Sequence, residues 1–416
     1  MSASARPLIV CLSNTDWGFL RYRKQHLMER LSQHVDVVYV NPPRALKARE
    51  WPFRTRTRQL SPSLWVHEPF VMPGIRRFGL AKWITYGWIA RRLAAWRSNR
   101  PVVLWLYSPH GLPFVDLLQP DRVVYDIADL HATPSGRHLR DDGERREIEA
   151  LAELEKTLLA RADLTLCVSE PLVEWVGDRS RRVALVPNGC DWPRYADARP
   201  TTRKPGSFRV GYVGTLAPRF DIELVAAIAT ARPNWIVELV GPTLPLVDVS
   251  PLTSLRNVML SGEVPFDNVP AKLASFDVCL LPLREIDFSY HCSPIQVFDY
   301  LAAGKPVVST PIGQLQGWPP GLIHVARGAQ EFVAAIETGL GERTAEHVDR
   351  RRMFAARNTW DVRVAQIAEA LGDIGIDIHS QSRAYRAHAE AWALRRPLLA
   401  RSAEALDSAN DMDAAA

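Results

Sequence analysis

Cysteine is scarce: five residues, at 11, 167, 190, 279 and 292, odd in number and far apart. A disulfide scaffold is excluded, no Cys-x-x-Cys pair offers a zinc site, and a reducing compartment is the expected setting. Long apolar runs are also missing. Nowhere do eighteen apolar residues follow one another, so no membrane-spanning helix is expected. The apolar run nearest the start, Leu8–Leu12, is too short for a signal peptide and reads as a buried strand. Low complexity is absent too: hydrophobic residues are 47% and charged ones 23%, which rules out a chain disordered throughout. At 416 residues, two or three domains of roughly 150 residues are expected.

What is present alternates. Leu8–Leu12, Val35–Val40, Val102–Tyr107, Val123–Asp126, Leu164–Val168 and Val183–Val186 read as strands, with helical patterns over 21–33, 79–98 and 144–161. After a linker-like stretch rich in proline and threonine at 196–206, the alternation restarts. Strands are expected at 208–213, 236–240, 258–260, 278–281, 307–309 and 323–325, and helices at 221–230, 270–275, 294–303, 329–340, 345–357 and 362–371. Strands separated by helices of this length predict an α/β fold: two doubly wound, Rossmann-like domains facing a cleft. The expected boundaries are 1–195, 206–372, and a C-terminal helical extension with a frayed tail over 373–416, its helix near 381–406.

The net charge of +5 conceals a concentration. Residues 44–100 hold thirteen Arg and Lys against Glu50 and Glu68, a local balance of +11, interleaved with nine Trp, Phe and Tyr. Rings at headgroup depth with cations on phosphate suit an anionic membrane surface. A basic solvated face is the plain alternative. Nucleic acid is not expected, because no recognised nucleic-acid motif accompanies the charge.

Chemistry concentrates in 280–310. Ser293 is placed to cap a helix beginning at Pro294, and Gly304 to end it. The free amides near Cys292–Gln296 would then form an anion site suited to a diphosphate. Asp299, about 9 Å further along the axis, sits where a carboxylate reaches a ribose, and Arg284 ends the preceding strand. The loop after strand 208–213 adds Gly214, Thr215 and Arg219. Strand ends of the first half present Asp16, His26, His110, Asp126 and Asp129 as acid–base or hydroxyl-binding candidates. Spacings typical of metal ligands are missing, and no metal is expected.

Ser293-Pro-Ile-Gln-Val-Phe-Asp-Tyr-Leu-Ala-Ala-Gly-Lys-Pro-Val-Val resembles the donor motif of GT-B glycosyltransferases of the group-one, family-four type. Support comes from Val186-Pro-Asn-Gly-Cys-Asp191, Gly211-Tyr-Val-Gly214 and Asn257–Pro265 running into Phe276–Pro282. Arg23-Lys-Gln-His-Leu and Val124-Tyr-Asp-Ile-Ala-Asp look like the bacterial teichuronic-acid and exopolysaccharide branch. The resemblance spans about 8–370. It implies a nucleotide-sugar donor on the second domain, a glycan or lipid-linked acceptor on the first, closure between them and no cofactor or metal. It further implies envelope or exopolysaccharide synthesis, retention of configuration, and a cytoplasmic enzyme peripheral to the inner face of the membrane. Asp16, His110, Asp129 and His291 are then the catalytic candidates. Gly214, Thr215, Arg219, Arg284, Ser293, Pro294, Ile295, Gln296 and Asp299 are the donor-binding ones.

Departures from that pattern are specific. Two glutamates eight positions apart become His291 and Asp299, a lysine becomes Gln296, and the arginine and lysine after the glycine loop become Thr215 and Phe220. A catalytically silent partner protein on the same scaffold, or a nucleotide-sugar epimerase, are the alternatives these changes leave open.

Overall fold

Short runs of Val, Ile and Leu, apolar on both sides of the chain, form the interiors of two parallel sheets. In the first strand, Leu8 and Val10 join the core on one face and Ile9 and Cys11 the core on the other, the pattern of a strand covered by helices on both sides. The computed structural model describes residues 6–45, 56–71, 79–131, 142–195 and 208–378. The helix expected near 381–406 lies outside these.

The first half runs β1 (Leu8–Leu12), α1 (Arg23–Leu31), β2 (Asp36–Val40), β3 (Arg44–Ala45), β4 (Arg56–Ser61), β5 (Leu64–Glu68), β6 (Phe70–Val71), α2 (Gly79–Ala94), β7 (Val102–Leu106), α3 (Pro113–Leu118), β8 (Arg122–Ile127), α4 (Asp142–Arg161), β9 (Leu164–Cys167), α5 (Glu170–Val176) and β10 (Val183–Leu185). Its sheet has the order β10-β9-β8-β7-β1-β2-β5-β4, parallel except for β4 against β5. The β4–β5 hairpin is absent from the sequence reading. Arg-Thr-Arg-Gln-Leu-Ser is polar on both faces because β4 is an edge strand, so no burial signal marks it.

The second half runs β11 (Arg209–Val213), α6 (Ile222–Ala231), β12 (Ile236–Val240), α7 (Ser250–Thr253), β13 (Val258–Gly262), α8 (Val269–Ala274), β14 (Val278–Leu281), α9 (Asp287–His291), α10 (Ile295–Ala302), β15 (Val307–Ser309), β16 (His324–Val325), α11 (Gly328–Gly341), α12 (Ala345–Ala356) and α13 (Trp360–Gly372). Its sheet order, β13-β12-β11-β14-β15-β16, is that of a dinucleotide-binding fold. Gly304 ends α10 in the left-handed region at φ +73°, where glycine carries no Cβ penalty.

One helix departs from its expected place. α13 continues the second half in sequence, yet Trp360, Val364, Ile367 and Leu371 pack into the core of the first sheet with Leu27, Met28 and Leu31 of α1. Trp360 stacks on His26 with ring centroids 4.8 Å apart, and Arg30 pairs with Asp361 at 3.1 Å. The spacing of 364, 367, 368 and 371 marks an apolar face without naming the sheet that receives it. Among the described residues, no helix is long and apolar enough to cross a membrane.

Candidate active site

Among the parallel strands of each sheet the order reverses once, between β1 and β7 in the first and between β11 and β14 in the second. Ligands of open α/β sheets bind outside the carboxyl ends of strands at such reversals. The two reversals face each other. The hydroxyls of Tyr22 and Thr215 lie 3.4 Å apart, and Asp129 meets Arg219 at 3.7 Å. Each pair joins one half to the other.

On the second half, close packing of loops depends on two glycines. A Cβ on Gly214 would stand 2.6 Å from both Gln296 Nε2 and the Tyr212 hydroxyl. A Cβ on Gly241, at φ +140°, would stand 2.0 Å from the Gly214 carbonyl oxygen. Gly241 was missed in the sequence reading; its signal was a glycine directly after the strand 236–240. Gln296 Nε2 donates to the Tyr212 hydroxyl at 3.5 Å, so α10 begins beside the glycine loop. The Arg284 amide donates to the Arg219 carbonyl at 2.8 Å, but the Arg284 guanidinium turns outward to Glu223 at 3.1 Å.

Ser293 does not cap α10. Pro294 holds that position without a side-chain bond. Ser293 instead faces the first half, its hydroxyl accepting from the Asn188 amide at 3.3 Å. A serine ahead of a proline can serve either role, and here the domain contact takes it. Ile295 packs against the first core, and the His291 carbonyl accepts from the Ser169 hydroxyl at 2.5 Å. The His291 ring is satisfied locally by the Asp287 carbonyl at 2.8 Å. The 291–295 segment therefore joins the two halves as well as opening α10, whose first amides at Ile295 and Gln296 lack intrahelical acceptors.

Asp299 neighbours Tyr195, which hydrogen-bonds to it. Burial, the larger effect, raises its pKa to about 7; the Tyr195 bond and Arg194 oppose the rise and Asp191 adds to it.

On the first half, Asp129, His110, Lys24 and His131 gather at the ends of β7 and β8. Lys24 is buried, donates to Asn14 and to Thr15 Oγ1, and lies 5.2 Å from the Tyr107 ring centre. Burial lowers its pKa, partly offset by Asp129. His131 is bonded to the Tyr107 backbone, its Nε2 has no hydrogen-bond partner among the described residues, and burial lowers its pKa. Lys24 and His131 were not singled out from the sequence: Lys24 stands in the quoted Arg23-Lys-Gln-His-Leu and His131 two residues beyond Asp129, but nothing local distinguishes either from its neighbours.

Other candidates lie elsewhere. Asp16 closes a turn, accepting from the Gly18 amide at 2.8 Å and from Asn41 at 3.0 Å. Asp126 is fully buried against Arg23, at 3.0 and 3.1 Å, and His26 is buried against Trp360. Both read as cleft residues in sequence; burial away from solvent explains their polarity instead, as a paired charge and a stacked ring.

The matching family profile is that of glycosyl transferases group 1, over residues 207–342. Residues 207–342 are a group 1 glycosyltransferase domain, and the chain takes the GT-B fold. TuaH of Bacillus subtilis strain 168, provisionally named a teichuronic acid biosynthesis glycosyltransferase, is 28% identical over 87% of this chain and 96% of its own. A GDP-mannose-dependent alpha-mannosyltransferase of Mycolicibacterium smegmatis is 29% identical over 44% of this chain and 45% of its own. Among solved structures, sucrose-phosphate synthase from Thermosynechococcus elongatus aligns at a TM-score of 0.68 with 15% identity, covering 89% of this chain and 99% of that chain. Anabaena Alr3699/HepE, in complex with UDP and glucose, aligns at 0.64 with 16% identity, covering 88% and 99%.

Proposed function

We infer that the glycosyltransferase moves a sugar from a nucleotide diphosphate donor to a hydroxyl of a glycan or lipid-linked acceptor in envelope polysaccharide synthesis. The observation that carries this is the meeting of the two strand-order reversals, with Arg219, the glycine loop and the start of α10 on one side and Asp129, His110, Lys24 and His131 on the other. The donor diphosphate lies against Arg219 and the α10 amides, and Asp299 holds the ribose. The bond from the anomeric carbon to the diphosphate breaks, the acceptor oxygen bonds to that carbon, and the acceptor proton leaves to the departing phosphate or to a first-half base. Positioning and stabilisation of the developing phosphate charge supply most of the rate. No metal enters this scheme, and retention of configuration is the proposed outcome. Incubation with labelled uridine and guanosine diphosphate sugars and lipid-linked acceptors is expected to give labelled glycan. Bound nucleotide with no turnover would establish a silent scaffold instead, and conversion of free sugar nucleotide an epimerase.

Peripheral placement on the inner face of the cytoplasmic membrane belongs to the same reading, and helix α2 supports it. Trp83 and Ile84 are 56% and 51% exposed, and Arg91 and Arg92, two turns on along the same face, are exposed too. Arg100 beyond the helix pairs with Asp36 at the start of β2, and Arg97 with Asp121 just before β8. The C-terminal end of α2 therefore lies at the amino edge of the sheet, and Trp83 and Ile84 toward the carboxyl edge, beside the cleft. The protein is expected to sediment with anionic but not neutral vesicles and to release as salt rises. Arg91→Gln with Arg92→Gln should cost about 1 kcal/mol of binding per arginine and leave nucleotide affinity unchanged. Equal recovery on both lipids, or on neither, would overturn the placement.

A further inference from the structure

A groove of about 480 Å³ lies outside the interdomain cleft, between α1 and the turn joining β4 to β5. Trp17, Arg21, Glu29, Gln33, Leu60 and Pro62 are among the residues lining it. Its size falls within the roughly 300–1,000 Å³ of small-molecule sites. The groove exists because the sheet continues past α1: α1 packs beside β2, and β5 and β4 extend two strands beyond.

The register of the hairpin decides which arginines share its face. Arg58 stands opposite Val66 and Arg56 opposite Glu68, whereas Thr57 stands opposite His67. Directly opposed residues of an antiparallel pair share a face. Val66 belongs to the core that contains Leu27 and Met28 of α1, so Arg56 and Arg58 project on the α1 side. Trp65 packs on Trp96 at 5.0 Å on the α2 side. The basic stretch that the sequence presented as one surface is therefore split between two faces of the sheet. The arginines of β4 stand on the face that carries the groove, on the strand that gives Leu60 to its lining, and those of α2 stand on the other face.

In the groove's lining Arg21 pairs with Glu29 and Arg6 with Asp36, while Arg56 and Arg58, on the flanking strand, are exposed and make no ion pair among the described residues. At the upper end Trp17 is held edge-on by Tyr39 at 4.9 Å, leaving a partly exposed ring. The next turn of chain brings Tyr22, whose hydroxyl meets Thr215 across the cleft. A groove with an aromatic platform at its upper end, flanked by a strand carrying two exposed arginines, thus lies next to the segment that reaches the cleft.

We propose that this groove holds an acidic stretch of the acceptor glycan, running back from the accepting hydroxyl, with Trp17 against a sugar ring and Arg56 and Arg58 on its anionic groups. The anion is a uronate carboxylate or a phosphodiester. The role as acceptor rests on the transferase reading, but binding is measured without donor, so failure of transfer and failure of the groove are separable.

The experiment titrates the full chain with a galacturonate tetramer, an oligo(glycerol phosphate) and maltotetraose. Binding of at least one acidic probe, weakening with salt, is expected, and which one binds identifies the anion. Arg56→Gln with Arg58→Gln should weaken it by roughly tenfold or more, the Lys pair should restore part of it, and nucleotide affinity and vesicle sedimentation should not move. The arginines are exposed, so circular dichroism of the variant should match the parent. Comparable binding of maltotetraose, no binding of either acidic probe, or unchanged affinity in the Gln pair would each overturn the proposal.

Discussion

Arg219→Ala is expected to lower kcat/KM for sugar transfer by about 10²- to 10³-fold, the usual cost of removing one group aimed at charge that develops in the transition state. Arg219 leaves the loop between β11 and α6, at the strand-order reversal, and its guanidinium spans the cleft to Asp129 at 3.7 Å. Burial by itself would lower its pKa, but Asp129 and neighbouring groups more than offset that, and the net direction is upward. The guanidinium therefore stays charged where a diphosphate would lie. Arg284, equally basic in sequence, is turned to Glu223, so Arg284→Ala should change kcat/KM little. Steady-state kinetics on the two variants separates them. Wild-type kcat/KM in Arg219→Ala, or a larger loss in Arg284→Ala, would show that the diphosphate is held elsewhere.

Asp299→Ala is expected to weaken nucleotide-sugar binding at least tenfold by calorimetry, because charge-assisted hydrogen bonds from a diol to a carboxylate contribute about 1.5–3 kcal/mol each. The raised pKa, up from 3.8 to about 7, gives the pH dependence its sign. Donor binding requires the carboxylate and should strengthen as pH rises through about 7. Stability runs the other way. The folded chain holds the Asp299 proton more tightly than the unfolded chain, so this contribution is fully present below pH 3.8 and lost as pH rises through about 7. Asp299→Asn removes the titration. It is therefore expected to melt higher than the parent at about pH 8, to bind donor weakly, and to bind it with a flat pH profile. A variant that binds donor like the parent while folded would end the ribose assignment.

Much of this architecture was legible locally. Ile236–Val240, Val278–Leu281 and Val307–Ser309 form strands over the residues that apolar, β-branched runs marked, and Gly304 stops α10 where its freedom at positive φ is needed. Polar residues were harder to place. Asp126 and Asp129 stand three positions apart, at the last residues of β8 and just beyond it, yet one is sealed against Arg23 and the other faces Arg219. Ser293 reads as a cap by local chemistry and serves as a domain contact. The edge strand β4 left no apolar alternation to detect, and the face its arginines take follows from pairing with β5.

By itself, then, the sequence determined two parallel-sheet halves, a helix over about 294–303, and a basic, aromatic segment within the first half. Each depends on side-chain periodicity or turn chemistry within a few residues. Tertiary structure alone decided that α13 returns to the first sheet, that Lys24 and His131 join Asp129, that Arg219 rather than Arg284 enters the cleft, and that β4 and α2 point their arginines to opposite faces. These outcomes depend on which surfaces dock and which strands pair. An amphipathic pattern states that a face must be buried; only the packing of chain-distant elements selects what it is buried against.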